Sequence, residues 1–164
     1  AMYIRAGRLD AIDPDLADDH AHLDRIASRV HTGTVDFAAL LTLPAALDFQ
    51  AAIGAPARER RLRSLRDRWV RQVRRHPDVA VLTPDDARMH GAITSFRVRG
   101  CTSDADNRAV AQALLDNHGI FTVQRGGVAA GACVRVTPAL CNTMADVDAL
   151  AKALIELAPK MAKG

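Results

Sequence analysis

The chain has 164 residues, enough for one domain or for one compact domain plus part of a second. Apolar residues make up 49% of it and charged residues 25%, the ordinary balance of a globular protein, which excludes wholesale disorder. No apolar run approaches the roughly 20 residues of a membrane-spanning helix, and the first residues lack the apolar core of a signal peptide. We therefore expect a cytoplasmic protein with no membrane partner, whose three cysteines are reduced thiols.

The basic residues are unevenly distributed, although the net charge is only +3. The three lysines, Lys152, Lys160 and Lys163, all lie near the C-terminus, and the other basic residues are arginines. Nine of these arginines fall between Arg58 and Arg75. Chemistry that needs a buried internal lysine is therefore hard to place in this chain.

The N-terminal third is predicted to hold little regular structure before its first helix. Residues 3–4 are typical of the end of a strand, and the aspartate-rich segment 10–24 is typical of a solvated loop. Asp36 is predicted to cap a helix that ends at Ile53 and that Pro44 kinks or interrupts. Apolar residues cover most of this helix, as in helices buried in large proteins, so we expect an exposed patch in a monomer that favours dimerisation or aggregation.

From residue 57 onward helices and strands alternate. The predicted elements are a helix over 57–76, strands over 79–83 and 92–98, a helix over 104–118, strands over 120–123 and 133–136, and a last helix capped by Thr143 and Asp146. Short sequential strands favour an antiparallel sheet with helices on one face. We predict an α/β (α+β) fold, in which a small domain of residues 57–164 has a four-stranded, mostly antiparallel sheet covered by helices. Residues 1–56 precede it.

Three short segments are candidate anion-binding sites. Arg135 lies on a strand just before a capped helix, where a guanidinium suits bidentate capture of a carboxylate; the alternative is a solvent-facing arginine on an edge strand. Gly33 and Thr34 precede a helix and offer N–H groups and a hydroxyl to a phosphate, or merely help to cap that helix. Arg125 begins a cationic, glycine-rich loop that closes over an anion or simply connects a hairpin.

Two other features give weaker indications. The arginine-rich helix from Arg58 to Arg75 suggests a non-enzymatic module that binds nucleic acid, but its charges surround the helix and no aromatic residues interleave for base stacking. A solvated helix surface explains it better. His20 and His22 lie close together among aspartates, but they lack a further spaced ligand, so we predict no metal site.

The segment 133–143, with the sequence CVRVTPALCNT, is followed by an acidic residue and an apolar helix. It resembles the C-terminal signature of class V aminotransferases, which are fold-type I pyridoxal-phosphate enzymes that include cysteine desulfurases, kynureninases and isopenicillin N epimerases. That signature reads Arg-Val-Ser and, a few residues later, Tyr-Asn-Thr; Cys141 stands where the family usually has Tyr. Segments 31–37 and 44–54 resemble the family's Gly-Thr element and the following helix. Their sequences are most similar to the isopenicillin N epimerase-like branch of the family.

The resemblance implies roles for the candidate residues. Arg135 would bind the α-carboxylate of an amino-acid substrate, and Arg125 is a second candidate at the same anion-binding opening. Gly33 and Thr34 would reach the cofactor phosphate of the neighbouring subunit in a homodimer. Asn142 and the adjacent threonine would shape the turn that holds Arg135.

The resemblance also implies that residues 1–56 are the end of a large domain whose earlier part holds the Schiff-base lysine and the acidic partner of the pyridine nitrogen. The position of the lysines agrees, since none precedes Lys152. We therefore expect the C-terminal portion of a pyridoxal-phosphate enzyme, with no catalytic residue of its own and inactive alone. Epimerisation, transamination and carbon–sulfur cleavage all stay open, and no nucleic-acid partner is expected.

Overall fold

A computed structural model describes residues 3–5, 7–14, 24–30, 33–127 and 129–163. In chain order the elements are a 3₁₀ helix Leu9–Ala11, α1 Ile26–Val30, α2 Phe37–Ile53, α3 Ala55–Val73, β1 Val79–Val81, β2 Thr94–Val98, α4 Asp104–His118, β3 Val123–Arg125, β4 Cys133–Val136 and α5 Met144–Met161. The chain divides into two compact units, residues 1–48 and 49–164. The boundary predicted after residue 56 falls in the first turn of α3, and the assignment of the first residues to a large domain stays a prediction.

In the first unit, Arg29 on α1 contacts the described residues in and after the 3₁₀ helix. Its guanidinium donates to the carbonyl of Ile12 at 2.7 Å and to the carboxylate of Asp10 at 3.2 Å. Residues 3–5 form no strand, so that prediction is wrong. A strand needs a neighbour to complete its hydrogen-bond ladder, and no strand pairs with these residues in the described part of the chain. Much of the predicted acidic loop, residues 15–23, lies outside the described residues.

Helix α2 begins where its cap predicts. The Asp36 carboxylate accepts a hydrogen bond from the backbone N–H of Ala39 at 3.0 Å, which confirms Asp36 as the cap. Of the two outcomes predicted at Pro44, the interruption is wrong, because one continuous helix runs through it, and the kink stays a prediction. Proline removes a single backbone donor, and the adjoining turns keep theirs. None of its described side chains is buried, and Leu41 is 79% exposed. The apolar patch is therefore present, and its effect on association stays a prediction.

Among the described residues, no single helix is both long enough and apolar enough to cross a membrane. Helices α2 and α3 meet the requirements of length and apolar composition only when they are counted together across the sharp break between them.

The second unit is built on a four-stranded sheet in the order β1-β2-β4-β3, and every neighbouring pair is antiparallel. The predicted four-stranded antiparallel sheet is confirmed. Strand β3 begins three residues later than predicted, at Val123, because the end of α4 uses the preceding backbone. Gly119 adopts a left-handed conformation, and the N–H of Ile120 donates to the carbonyl of Leu114, so this segment caps the helix and cannot pair as a strand.

Helices α3, α4 and α5 cover one face of this sheet. Along β2 the residues Thr94, Phe96 and Val98 are buried and the two between them are only partly buried, as expected of a strand with one face on the core. The ring of Trp69 on α3 lies edge-on to Phe96, with 6.2 Å between ring centroids. This packing leaves the opposite face of the sheet, turned away from the helices, as the place where polar strand residues gather.

Candidate anion-binding face of the sheet

The strand register brings separated arginines onto the face of the sheet turned away from the helices. Ser95 pairs with Arg135, so both side chains lie on the face opposite the buried Phe96. Arg125 pairs with Cys133, which lies two residues before Arg135 and so shares its face, and Arg97 lies two residues after Ser95. We call this surface the arginine face; its strand residues are Ser95, Arg97, Val123, Arg125, Cys133 and Arg135.

Arg135 lies at the centre of the arginine face, and its side chain makes no hydrogen bond or ion pair in the described part of the chain. Its side chain is half-buried, and its Nε–H is shielded from solvent without a hydrogen-bond partner among the described residues. A buried donor with no acceptor costs roughly 1–3 kcal/mol, more when the group is charged. The described residues supply no acceptor for this donor, and a carboxylate matches a guanidinium fork in charge and shape.

Arg125 lies diagonally across the ladder from Arg135, a placement that separates backbones by about 7–8 Å, within reach of two long side chains. It is exposed, and no ion pair joins either arginine to an acidic residue in the described ranges. The arginine face thus carries two guanidinium groups free to attract an anion. The sequence predicts that Arg125 and Arg135 lie at the same anion-binding site, and in the structure they lie on one face of the sheet. Their roles stay predictions.

The turn after β4 is fixed by Asn142. Its side-chain oxygen accepts from the N–H of Ala139 at 2.8 Å, its amide donates to Asp146 at 3.2 Å, and its carbonyl accepts from Arg61 at 2.7 Å. Thr143 and Asp146 form the predicted capping box at the start of α5. The backbone N–H of Thr143, followed by the amide of Asn142, holds the pKa of Asp146 below its usual value. These bonds anchor β4 to α5 directly after Arg135.

Gly33 and Thr34 belong to the first unit, so each unit carries part of the predicted site. Gly33 has a φ of 83°, a backbone conformation that favours glycine, and both residues are exposed. They precede the N-terminal end of α2, where N–H groups and the helix dipole favour a negative group. Their donors fit a phosphate chemically, although the neighbouring Asp36 already occupies one N–H of that helix end.

Most of the arginines from Arg58 to Arg75 bind other parts of the second unit. Their partners are Gln50 for Arg58, Asn142 for Arg61, Glu59 and Ala87 for Arg63, Thr94 and Asp67 for Arg66, Asp148 for Arg68, and Asp85 for Arg74. Arg66 is only 2% exposed. The prediction of a merely solvated surface is therefore incomplete. Sequence reasoning missed the links to Asn142, Thr94 and Asp148 because these acceptors lie far away in the chain. The paired arginines weaken the nucleic-acid alternative.

Neither a cluster of metal ligands nor the cavity beside the start of α5 involves the predicted arginines in the described part of the chain. Among the residues that the structure describes, no three histidine, cysteine or acidic side chains cluster as metal ligands do, and His20 and His22 lie outside that part. A cavity of about 430 Å³ opens between the end of α4 and the start of α5, on the helical side of the sheet. Neither Arg125 nor Arg135 lines it.

The ion pair between α3 and α5 predicts how stability depends on pH. Arg68 donates to both oxygens of Asp148 at 2.7 Å, and these bonds, with one from Gln72, hold the pKa of Asp148 below its usual value. The contribution of such a carboxylate is fully present above its unfolded pKa and is lost as the pH falls through the lower folded pKa. We expect Asp148→Asn to be less stable at pH 7 and this difference to shrink below about pH 4.

Urea unfolding of both proteins at pH 7, 5 and 3 measures that difference. Asp116→Asn is a suitable control, since its carboxylate accepts a hydrogen bond from Gln112 on the same helix and forms no ion pair within the described residues. A deficit of Asp148→Asn that is as large at pH 3 as at pH 7 would contradict the assignment.

Comparison with known proteins places the chain in a family. Residues 12–150 match the family model described as Aminotransferase class-V. Isopenicillin N epimerase of Amycolatopsis lactamdurans is 30% identical over 139 residues, which are 82% of this chain and 33% of that protein. The apo structure of a cysteine desulfurase from Thermococcus onnurineus NA1 is 23% identical, with a TM-score of 0.73 over 96% of this chain and 42% of that one.

The cysteine desulfurase CsdA (S-sulfonic acid) from Escherichia coli is also 23% identical, with a TM-score of 0.63 over 81% of this chain and 33% of that one. At this identity the two structures establish the fold alone. The chain spans 33% of the curated relative and 42% or less of these structures. Since the family model covers most of its length, the chain belongs to the class V aminotransferases, a family of pyridoxal-phosphate-dependent enzymes.

Proposed function

We propose that this chain supplies the substrate-carboxylate site of a pyridoxal-phosphate-dependent enzyme that acts on an amino acid. The observation that carries the proposal is the buried Nε–H of Arg135, which lacks an acceptor among the described residues. A carboxylate on the Nη groups of Arg135, which are not among its buried atoms, gains a bidentate, charge-assisted contact. Family membership supplies the independent support, because it assigns the chain to enzymes of this cofactor class.

Each residue of the proposed site has a separate task. Arg135 binds and orients the carboxylate, because β4 and the Asn142 turn hold its backbone on both sides. Arg125, exposed on the same face, attracts the anion and makes a second contact. Gly33 and Thr34 hold the cofactor phosphate, in the proposal that of the neighbouring subunit of a homodimer. When bound, pyridoxal phosphate supplies the electron sink for the reaction.

The reaction is proposed only at the level of the family. The match to isopenicillin N epimerase favours epimerisation, while the folds of the two desulfurases leave transamination and carbon–sulfur cleavage open. All three lysines lie in the last helix or beyond it, on the side of the sheet away from Arg135, so we propose that this chain alone is inert. A cytoplasmic location is part of the same proposal.

A carboxylate titration tests the proposed role of Arg135. Acetate added at constant ionic strength is expected to shift the NMR signal of the Arg135 Nε–H saturably in the millimolar range, because the fork provides two parallel donors. Arg135→Lys presents a single point charge in place of the fork, so we expect its affinity for acetate to fall about tenfold, measured for both proteins at the backbone amides of β4.

The control is Arg88→Lys, since Arg88 is exposed and already paired with Asp86 at 2.6 Å. Its acetate affinity is expected to equal that of the wild-type chain. An Arg135 signal that does not respond to acetate, or an Arg135→Lys variant with unchanged affinity, would remove the proposed role.

A further inference from the structure

Arg97 makes an unusual pair of contacts on the arginine face. Its Nε donates to the carbonyl of Ala132 and its Nη2 to the carbonyl of Gly131, both at 2.7 Å. The side chain is half-buried and binds main chain rather than a carboxylate. Two of its N–H donors, on Nε and Nη2, are therefore occupied by main-chain carbonyls.

These contacts begin where the backbone ladder ends. Strands β2 and β4 pair from Thr94 with Val136 to Phe96 with Val134, and the ladder goes no further. The next residue of β2 is Arg97, whose side chain reaches the two carbonyls that directly precede β4. Arg97 thereby continues the link between β2 and β4 beyond the last ladder bond.

The segment that Arg97 holds also positions Arg125. Cys133 follows Ala132 directly and is the ladder partner of Arg125. The N–H of Ala132 donates to the carbonyl of Thr102 at 2.7 Å, which fixes the same point from the α4 side. Through Cys133 and the strand that follows, the position of Ala132 sets the placement of both arginines on this face.

We propose that Arg97 is a positioning residue, which holds the start of β4 so that Arg125 and Arg135 converge on one carboxylate. The inference rests on the proposed function of Arg135. Without Arg97, two carbonyls lose their donors and the start of β4 separates from β2. The two guanidinium groups then occupy a wider range of positions, and a preorganised bidentate contact becomes weaker.

The experiment compares Arg97→Gln and Arg97→Lys with the wild-type chain. Acetate binding is followed at the Arg135 Nε–H, and backbone hydrogen exchange at residues 131–133. We expect Arg97→Gln to bind acetate about fivefold more weakly and to exchange faster at these amides. Arg97→Lys keeps one donor and the charge, so its affinity is expected to lie between the other two.

Arg68→Gln is the matched control, because it removes a similar two-bond guanidinium contact, to Asp148, on the helical side of the sheet. It is expected to lower the melting temperature and leave acetate affinity unchanged. If Arg97→Gln does not fold, the acetate affinity of Arg97→Lys tests the proposal instead.

The two proposals fail in different ways. If acetate does not shift the Arg135 signal of the wild-type chain, the carboxylate site itself is wrong. If the wild-type chain binds acetate and the folded Arg97 variants bind it equally well, Arg97 is merely structural and this inference is overturned.

Discussion

Trp69→Ala is expected to lower the free energy of unfolding by about 3–5 kcal/mol, the range for truncating a large buried aromatic residue. Trp69 has no exposed surface, and its ring meets Phe96 edge-on across the interface between α3 and the sheet. The substitution leaves a cavity at the centre of the second unit, where neighbouring elements are held from several sides and cannot close it. Urea unfolding followed by far-UV circular dichroism measures the loss, since the variant lacks the single tryptophan of the chain.

Trp69→Phe is the informative comparison. The indole N–H of Trp69 is buried without a hydrogen-bond partner among the described residues, so phenylalanine removes volume and also removes an unsatisfied donor. We expect a loss of about 1 kcal/mol, well below that of the alanine variant. A loss in Trp69→Ala below about 1 kcal/mol would mean that this interface does not form the core.

Gly131→Ala is expected to lower the free energy of unfolding by more than about 2 kcal/mol, because it combines backbone strain with a steric clash. Gly131 has a φ of 101°, a conformation that L residues with a side chain rarely adopt. A Cβ there would lie 2.7 Å from the carbonyl oxygen of Thr102, which is backbone at the start of α4 and has little freedom to move. Unfolding in urea gives the size of the loss.

Gly127→Ala separates the two penalties. Its φ of 83° carries the backbone cost, but a Cβ there meets no atom within 4 Å. We expect a loss of about 1 kcal/mol in this variant. Since Arg97 binds the carbonyl of Gly131, the Gly131→Ala variant is also expected to bind acetate more weakly, whereas equal losses in the two glycine variants would show that the contact with Thr102 is loose.

Arginine is suited to the roles that basic side chains have in the second unit. Arg66 is buried, with Thr94, Asp67 and the carbonyl of Pro84 around it, and Arg97 holds two carbonyls at once. Both tasks need several donors in a fixed plane, which a lysine ammonium does not provide. Arg135 has the same fork, but its Nε lacks a partner among the described residues, and this difference from Arg66 and Arg97 supports the proposal that it binds a ligand.

The local features of the fold were predictable from the sequence alone. Asp36, Thr143 and Asp146 mark helix ends through bonds to residues three positions away, and Gly119 ends α4 through its own backbone conformation. Such signals act within one turn of chain, so the order of helices and strands from α2 onward follows from them. The motif around Arg135 likewise identified the family before any contact was known.

The contacts that form the arginine face depend on tertiary structure. The pairing of Ser95 with Arg135 and of Arg125 with Cys133 determines which side chains share a face, and a shift of one residue would reverse it. The bonds from Arg97 to Gly131 and Ala132, and those from the arginines of α3, join residues that no local pattern relates. Strand register and side-chain reach across the core are set by the packing of the whole unit. The sequence alone therefore made Arg135 a candidate, and only the folded chain shows which residues share its face of the sheet.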